Sequence, residues 1–162
     1  MPLNDKLVSV LFLCTGNSAR SIMGEALLRH YGGDRFRTLS AGSKPAGRVH
    51  PLALEALAAR GVATQGLASK AVEDIGGAPA DIVITVCDAA AESCPVLPGA
   101  PLLVHWGLPD PAAETDNPVK QRAAFDAVCR TLEARIQNLV ALPLAEMAPT
   151  TVQQSLQELV QS

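Results

Sequence analysis

The stretch Cys14-Thr15-Gly16-Asn17-Ser18-Ala19-Arg20-Ser21 constrains this chain more than any other. It follows Leu7 to Leu13, a near-continuous apolar run of the kind found in strands covered on both faces. It precedes a segment from Ser21 to Tyr31 in which Met23, Leu27 and Tyr31 recur at helical spacing, before Gly32-Gly33 ends it. A strand, a short loop and a helix start in that order gather backbone N–H groups and the positive end of the helix dipole around one point, an anion cradle. Gly16 lets the backbone approach closely, Asn17 tolerates the left-handed region, and Arg20 offers a fork for two oxygens. The expected anion-binding residues are therefore Thr15, Gly16, Asn17, Ser18, Ala19, Arg20 and Ser21. Cys14 stands at the bottom of the cradle as a nucleophile, with the Ser21 hydroxyl able to bond its sulfur.

The rest of the chain alternates strand and helix signals. Arg37 to Ala41 reads as a second strand closed by Gly42, and His50 to Arg60 as a helix stopped by Gly61. Asp81 to Val86 reads as a third, buried strand ended by Cys87, and Pro101 to His105 as a fourth. Asn117-Pro118 caps a long helix whose buried stripe is Phe125, Val128, Leu132, Ile136 and Leu139. Thr151-Val152-Gln153-Gln154 resembles a capping box for a tail helix with Val152, Leu156 and Val160 on one face. This alternation predicts an α/β fold: a four-stranded parallel sheet flanked by helices on both sides, with an extra C-terminal helical tail. The expected division is a main domain over 1–142 and an extension over 143–162. Ligands of such sheets bind beyond the carboxyl ends of the strands, where Cys14, Cys87 and the loop carrying Asp110 fall together.

Composition narrows the function classes. A length of 162 residues suits one core, and 48% hydrophobic with 18% charged residues describes a globular chain. A net charge of −3 with scattered basic residues argues against a nucleic-acid groove. No apolar run approaches the ~20 residues of a membrane span, and the apolar start leads straight into the cysteine motif, so it reads as strand and not as a signal peptide. Four cysteines in such a chain read as reactive and not as structural disulfides, which points to the cytoplasm.

Four segments carry a family resemblance. They are Val10 to Ser21 with Met23 and Glu25; Ser40-Ala41-Gly42; Val86-Cys87 through Cys94-Pro95-Val96-Leu97-Pro98; and His105-Trp106-Gly107-Leu108-Pro109-Asp110-Pro111-Ala112. In these, and in order from about residue 7 to 140, the chain resembles arsenate reductases built on the low-molecular-weight tyrosine phosphatase fold, in particular the thioredoxin-coupled group. The cradle alone does not separate reductase from phosphatase, because phosphate and arsenate look alike to it. The Cys87…Cys94 pair does, since reduction needs two electrons and a dithiol supplies them. Were 87–94 helical, the two positions would lie about 10 Å apart along the axis, beyond the ~7 Å Cα limit of a disulfide, so the segment must loop or unwind on oxidation. A zinc site would want closer spacing and nearby histidines; two unrelated buried cysteines remain the plain competing reading of the spacing alone.

The resemblance implies a thiol relay. Cys14 attacks arsenate held by Arg20 and the loop amides, with Asp110 as general acid. Cys87 then attacks the Cys14 sulfur and releases arsenite, and Cys94 attacks Cys87. The resulting Cys87–Cys94 disulfide passes to an external thiol reductant, by resemblance thioredoxin, with glutaredoxin and glutathione as the other donor. No tightly bound cofactor is implied, and a monomer is expected. The family's second cradle cysteine is replaced by Ala19. Its potassium site is matched by Asn17, Glu25 and Ser40, but Lys70 falls near the place of its aspartate. Lys70 is therefore expected to supply the positive charge beneath the loop, the alternative being a solvated surface lysine. Two other functions compete: a low-molecular-weight protein tyrosine phosphatase, disfavoured because Pro111-Ala112-Ala113 follows Asp110 where tyrosines are usual, and a non-enzymatic oxyanion- or redox-sensing module. Cys129 is expected in the core, His50 as a surface or cap residue, and His105-Trp106 as shaping the acid loop.

Overall fold

The computed structural model describes residues 7–74, 80–87, 101–113 and 117–161. Cys94 and the Pro-rich stretch around it lie outside the described residues. Four strands form one parallel sheet in the order β2-β1-β3-β4: β1 Val8–Cys14, β2 Phe36–Gly42, β3 Ile82–Thr85 and β4 Leu102–His105. Every residue of β1 and β3 is buried, as their uninterrupted apolar sequences require of central strands. The register pairs Leu13 with Thr85 and Cys14 with Gly42, which brings the carboxyl ends of β1, β2 and β3 to one edge of the sheet.

Helix α1 (Arg20–Gly32) starts directly from the Cys14 loop and packs on β1 and β2. Helix α2 (Pro51–Ala59) and the 24-residue helix α3 (Pro118–Ala141) pack against α1 and each other. Asn117 caps α3 as expected: its Oδ1 accepts from the amides of Val119 at 2.8 Å and Lys120 at 3.3 Å. Phe125, Val128, Cys129, Leu132, Ile136 and Leu139 form its buried stripe. An ion-pair cluster on the outer side ties the three helices: Arg60 reaches Asp126 at 2.9 Å and Glu133 at 3.5 Å, and the Tyr31 hydroxyl donates to Glu133 at 2.6 Å.

The tail helix α4 (Pro149–Glu158) departs from the sequence reading at its start. It begins at Pro149, with Ala148 as a cap that makes no side-chain hydrogen bond, so the supposed capping box at Thr151 lies inside the helix. Proline at the first helical position needs no N–H acceptor and has its φ preset, which moves the cap three residues upstream, from Thr151 to Ala148. The helix lies along β4. Val152 and Leu156 are fully buried in the common core, and Leu156 O accepts from the Trp106 indole at 2.9 Å. Gln153 donates to Leu103 O at 2.8 Å, while Gln157 accepts from His105 N at 2.9 Å and donates to His105 O at 2.6 Å. Two glutamine side chains thus take the backbone bonds that a fifth strand would take. No helix among the described residues is long and apolar enough to cross a membrane.

Candidate active site

The loop leaving β1 folds back over its own cysteine. Asn17 adopts φ 45°, the one non-glycine residue with positive φ among those described. That turn brings the Asn17 amide to 3.2 Å from Cys14 Sγ, and the Ser21 hydroxyl lies 2.9 Å from the same sulfur. Both contacts set a polar group of the loop or of α1 directly against the sulfur. The Asn17 side chain is fully buried and pins the arrangement, donating from Nδ2 to Ser21 Oγ at 2.8 Å and accepting from Lys70 N at 2.6 Å.

The segment from Ser43 to His50 decides which way the loop's peptide groups face. The amides of Ser43, Lys44, Ala46 and His50 donate to the carbonyls of Cys14, Thr15, Gly16 and Ser18 at 3.2, 2.9, 2.8 and 2.8 Å. Ser69 Oγ adds a second donor to Gly16 O. With the carbonyls engaged on the outside, the amides of Gly16, Ser18 and Ala19 meet no acceptor among the described residues. Three unspent N–H groups beside a helix N-terminus are the kind of donor set that can hold an oxyanion. This strap escaped sequence reasoning because it acts through backbone N–H groups, which leave no residue signature.

Arg20 and Asp110 stand together at the rim. Arg20 Nη1 donates to Leu108 O at 2.9 Å, and its Nη2 lies 4.0 Å from Asp110 Oδ2. The other Asp110 oxygen accepts from Ala112 N at 3.0 Å, starting the short turn Pro111–Ala113. Asp110 is half exposed, open to an arriving ligand. Cys87 follows the end of β3, buried, with its sulfur 3.5 Å from the Thr15 hydroxyl. Cys14, Cys87, Arg20 and Asp110 therefore meet at one edge. Cys129 is elsewhere, in the core of α3, where burial pushes its thiol up to about 11.

Beneath the loop, Glu25 is buried and surrounded by donors. It accepts from Ser40 Oγ, pairs with Arg29, and lies 3.7 Å from Lys70 Nζ. Lys70 also donates from Nζ to Ala68 O at 2.8 Å. The ammonium thus joins the Asn17, Glu25 and Ser40 group and is not a freely solvated side chain. Among the described residues no cluster of three or more His, Cys, Asp or Glu side chains could hold a metal ion.

His50 caps α2: its Nδ1 accepts from Leu52 N at 3.1 Å and its ring lies on Phe125 of α3, centroids 4.6 Å apart. Burial first, and the nearby Arg48 second, hold it below its ordinary range, while the Asp110 carboxylate pulls the other way.

The parallel sheet with a loop folded over the cysteine that ends its first strand defines a phosphatase-like fold. The chain belongs to the low molecular weight phosphotyrosine protein phosphatase family, whose profile matches residues 9–158. Within it, the chain is 36% identical to an arsenate reductase of Halalkalibacterium halodurans over 79% of this chain and 91% of that one. Among solved structures it is similar to a thioredoxin-dependent arsenate reductase of Corynebacterium glutamicum, with a TM-score of 0.64 at 29% identity, covering 93% of this chain and 64% of that one. It is also similar to the arsenate reductase of Archaeoglobus fulgidus, with a TM-score of 0.64 at 31% identity over 82% and 99% of the two chains.

Proposed function

We propose that this protein reduces arsenate to arsenite by the relay Cys14, Cys87, Cys94. Arsenate binds in the cradle on Thr15, Gly16, Asn17, Ser18, Ala19, Arg20 and Ser21. Cys14 Sγ attacks arsenic, and Asp110 gives its proton to the departing oxygen, leaving a Cys14–arsenic(V) bond. Cys87 attacks Cys14 Sγ, and the electron pair of the sulfur–arsenic bond goes to arsenic, which leaves as arsenite. Cys94 then attacks Cys87, restoring the Cys14 thiol and storing the oxidation as a Cys87–Cys94 disulfide.

The observation that carries this reading is the Thr15 contact of Cys87, a second thiol at the lip of the cradle, for which hydrolysis of a phosphate ester has no use. Two features weigh against a tyrosine phosphatase. Pro111-Ala112-Ala113 follows Asp110 and offers no aromatic wall, and the one tyrosine of the chain, Tyr31, is engaged with Glu133. Similarity to the thioredoxin-dependent neighbour supports a thioredoxin as the external reductant, and a dithiol relay of this kind suits a reducing cytoplasm. The Lys70 ammonium takes the place of a monovalent cation beneath the loop; activity that rises strongly in potassium over sodium contradicts that assignment.

The test is arsenate-dependent NADPH oxidation with thioredoxin and its reductase, repeated with glutathione and glutaredoxin and set beside aryl phosphate hydrolysis. Turnover with thioredoxin is expected. A Cys94→Ser protein should stop after about one turnover, because its dithiol cannot be rebuilt. Aryl phosphate hydrolysis without arsenate turnover overturns the proposal.

A further inference from the structure

Ser69 stands where the strap and the cradle loop meet the segment that runs below them. Its hydroxyl oxygen lies 3.2 Å from the Gly16 carbonyl oxygen and 3.2 Å from the Gly47 amide nitrogen. A carbonyl only accepts, so the Ser69 proton points at Gly16 O and a lone pair takes the Gly47 N–H. The two partners together fix one orientation of this hydroxyl. The segment is itself anchored to the sheet. Gly42 N, at the end of β2, donates to Lys70 O at 2.8 Å, and Gly42 pairs with Ala71 in an isolated parallel bridge. The next residue grips the same turn of the loop, since Lys70 N donates to Asn17 Oδ1 at 2.6 Å.

The Gly16–Asn17 peptide needs such a hold. Its N–H end is 3.2 Å from Cys14 Sγ, while its carbonyl end faces outward to Ala46 N at 2.8 Å and to Ser69 Oγ. To keep that orientation Asn17 holds φ 45°, a region disfavoured for residues with a β-carbon. Turning the peptide over would return Asn17 to ordinary extended backbone. Gly16 has no β-carbon to oppose the matching change in its own ψ. The turned peptide would aim a carbonyl oxygen at the sulfur and at any anion above it, where a donor is required.

We propose that Ser69 is a positioning residue for the cradle: its hydroxyl, oriented by Gly47, latches the Gly16 carbonyl outward and so keeps the Asn17 N–H turned to the reacting sulfur. The inference rests on the cradle being the oxyanion site of the proposed reaction. An oxyanion selects the unturned peptide. Loss of the latch therefore lowers apparent affinity by the fraction of molecules turned, and leaves the bound complex as it was.

Ser69→Ala and Ser69→Thr test this, with inorganic phosphate as the probe. In Ser69→Ala phosphate should bind about fivefold more weakly, the effect of one ordinary hydrogen bond. KM should rise by the same factor while kcat holds, a split that a merely structural role would not give. Ser69→Thr keeps the hydroxyl and should bind phosphate like the parent. The NMR signal of the Asn17 amide supplies a direct signature. It should be displaced in phosphate-free Ser69→Ala and return to the parental position when phosphate saturates. Parental phosphate affinity in Ser69→Ala, equal losses in the alanine and threonine variants, or a fall in kcat at unchanged KM overturns the role and leaves the arsenate reading intact. KM is read with arsenate, or with an aryl phosphate should arsenate not be the substrate. A parent protein that binds no phosphate overturns the cradle and the latch together.

Discussion

Gly42 and Thr15 approach so closely that a β-carbon on Gly42 would lie 2.5 Å from the Thr15 carbonyl oxygen and 3.0 Å from the Asn17 β-carbon. The end of β2 is thus the floor on which the cradle rests, and the Ser40-Ala41-Gly42 segment acquires a mechanical meaning. The obstacle is backbone, which cannot swing aside as a side-chain tip can. Gly42→Ala is expected to cost about 1–3 kcal/mol, the usual range for overpacking, and to displace the loop amides. Denaturant midpoints should show the first effect and oxyanion affinity the second. A variant with parental affinity would separate the floor from the cradle's geometry.

The pH dependence of stability carries the mark of His50. Its folded-state ionisation is depressed from 6.5 by burial and then by Arg48. A depressed histidine binds fewer protons folded than unfolded, so stability rises with pH across the gap. Going down in pH, the loss begins as the unfolded chain takes up protons near 6.5 and is complete below the folded value. His50→Asn should flatten this part of the curve, as read by thermal melts in a series of buffers from pH 5 to 8.

Cysteine reactivity should divide by location. Cys129 is fully buried, and its thiol is raised to about 11, so almost none of it is thiolate at pH 8. Cys14 is shielded too, but its sulfur lies at the floor of an open cradle and already takes bonds from Asn17 and Ser21. Mass spectrometry after brief iodoacetamide treatment of the native protein should find Cys14 labelled and Cys129 intact. An oxyanion in the cradle should protect Cys14. Labelling of Cys129 at a comparable rate contradicts the assignment.

The tail helix is held by buried side chains. Leu156 is fully enclosed, and its carbonyl receives the indole of the largest fully buried residue among those described, Trp106. Leu156→Ala should cost about 2–5 kcal/mol, as core leucine truncations do, and lower the melting temperature of the whole protein in one transition. A separate early transition confined to the tail would show that the helix folds independently of the sheet.

The sheet was legible because buried parallel strands write themselves as apolar runs, and all four strands fall within one or two residues of their expected bounds. That Cys14, Arg20, Cys87 and Asp110 share one edge was legible because each lies at or just beyond the carboxyl end of a strand in a parallel sheet. The strap over 43–50 was not, since its work is done by peptide N–H groups that any residue but proline carries. His50 was legible as a cap only. Its stacking on Phe125 depends on how α2 meets α3, which local pattern does not encode. The tail's start was misread because Thr151 and Gln154 mimic a cap, whereas Pro149 sets the helix earlier.

Gln153 and Gln157 leave the outer margin of β4 with few free peptide groups to offer. Exposed sheet margins are where unrelated chains add on and aggregates begin. By occupying the β4 margin with side-chain amides, this molecule leaves that edge little to offer a further strand. Replacing both glutamines would expose that liability before it touched the chemistry.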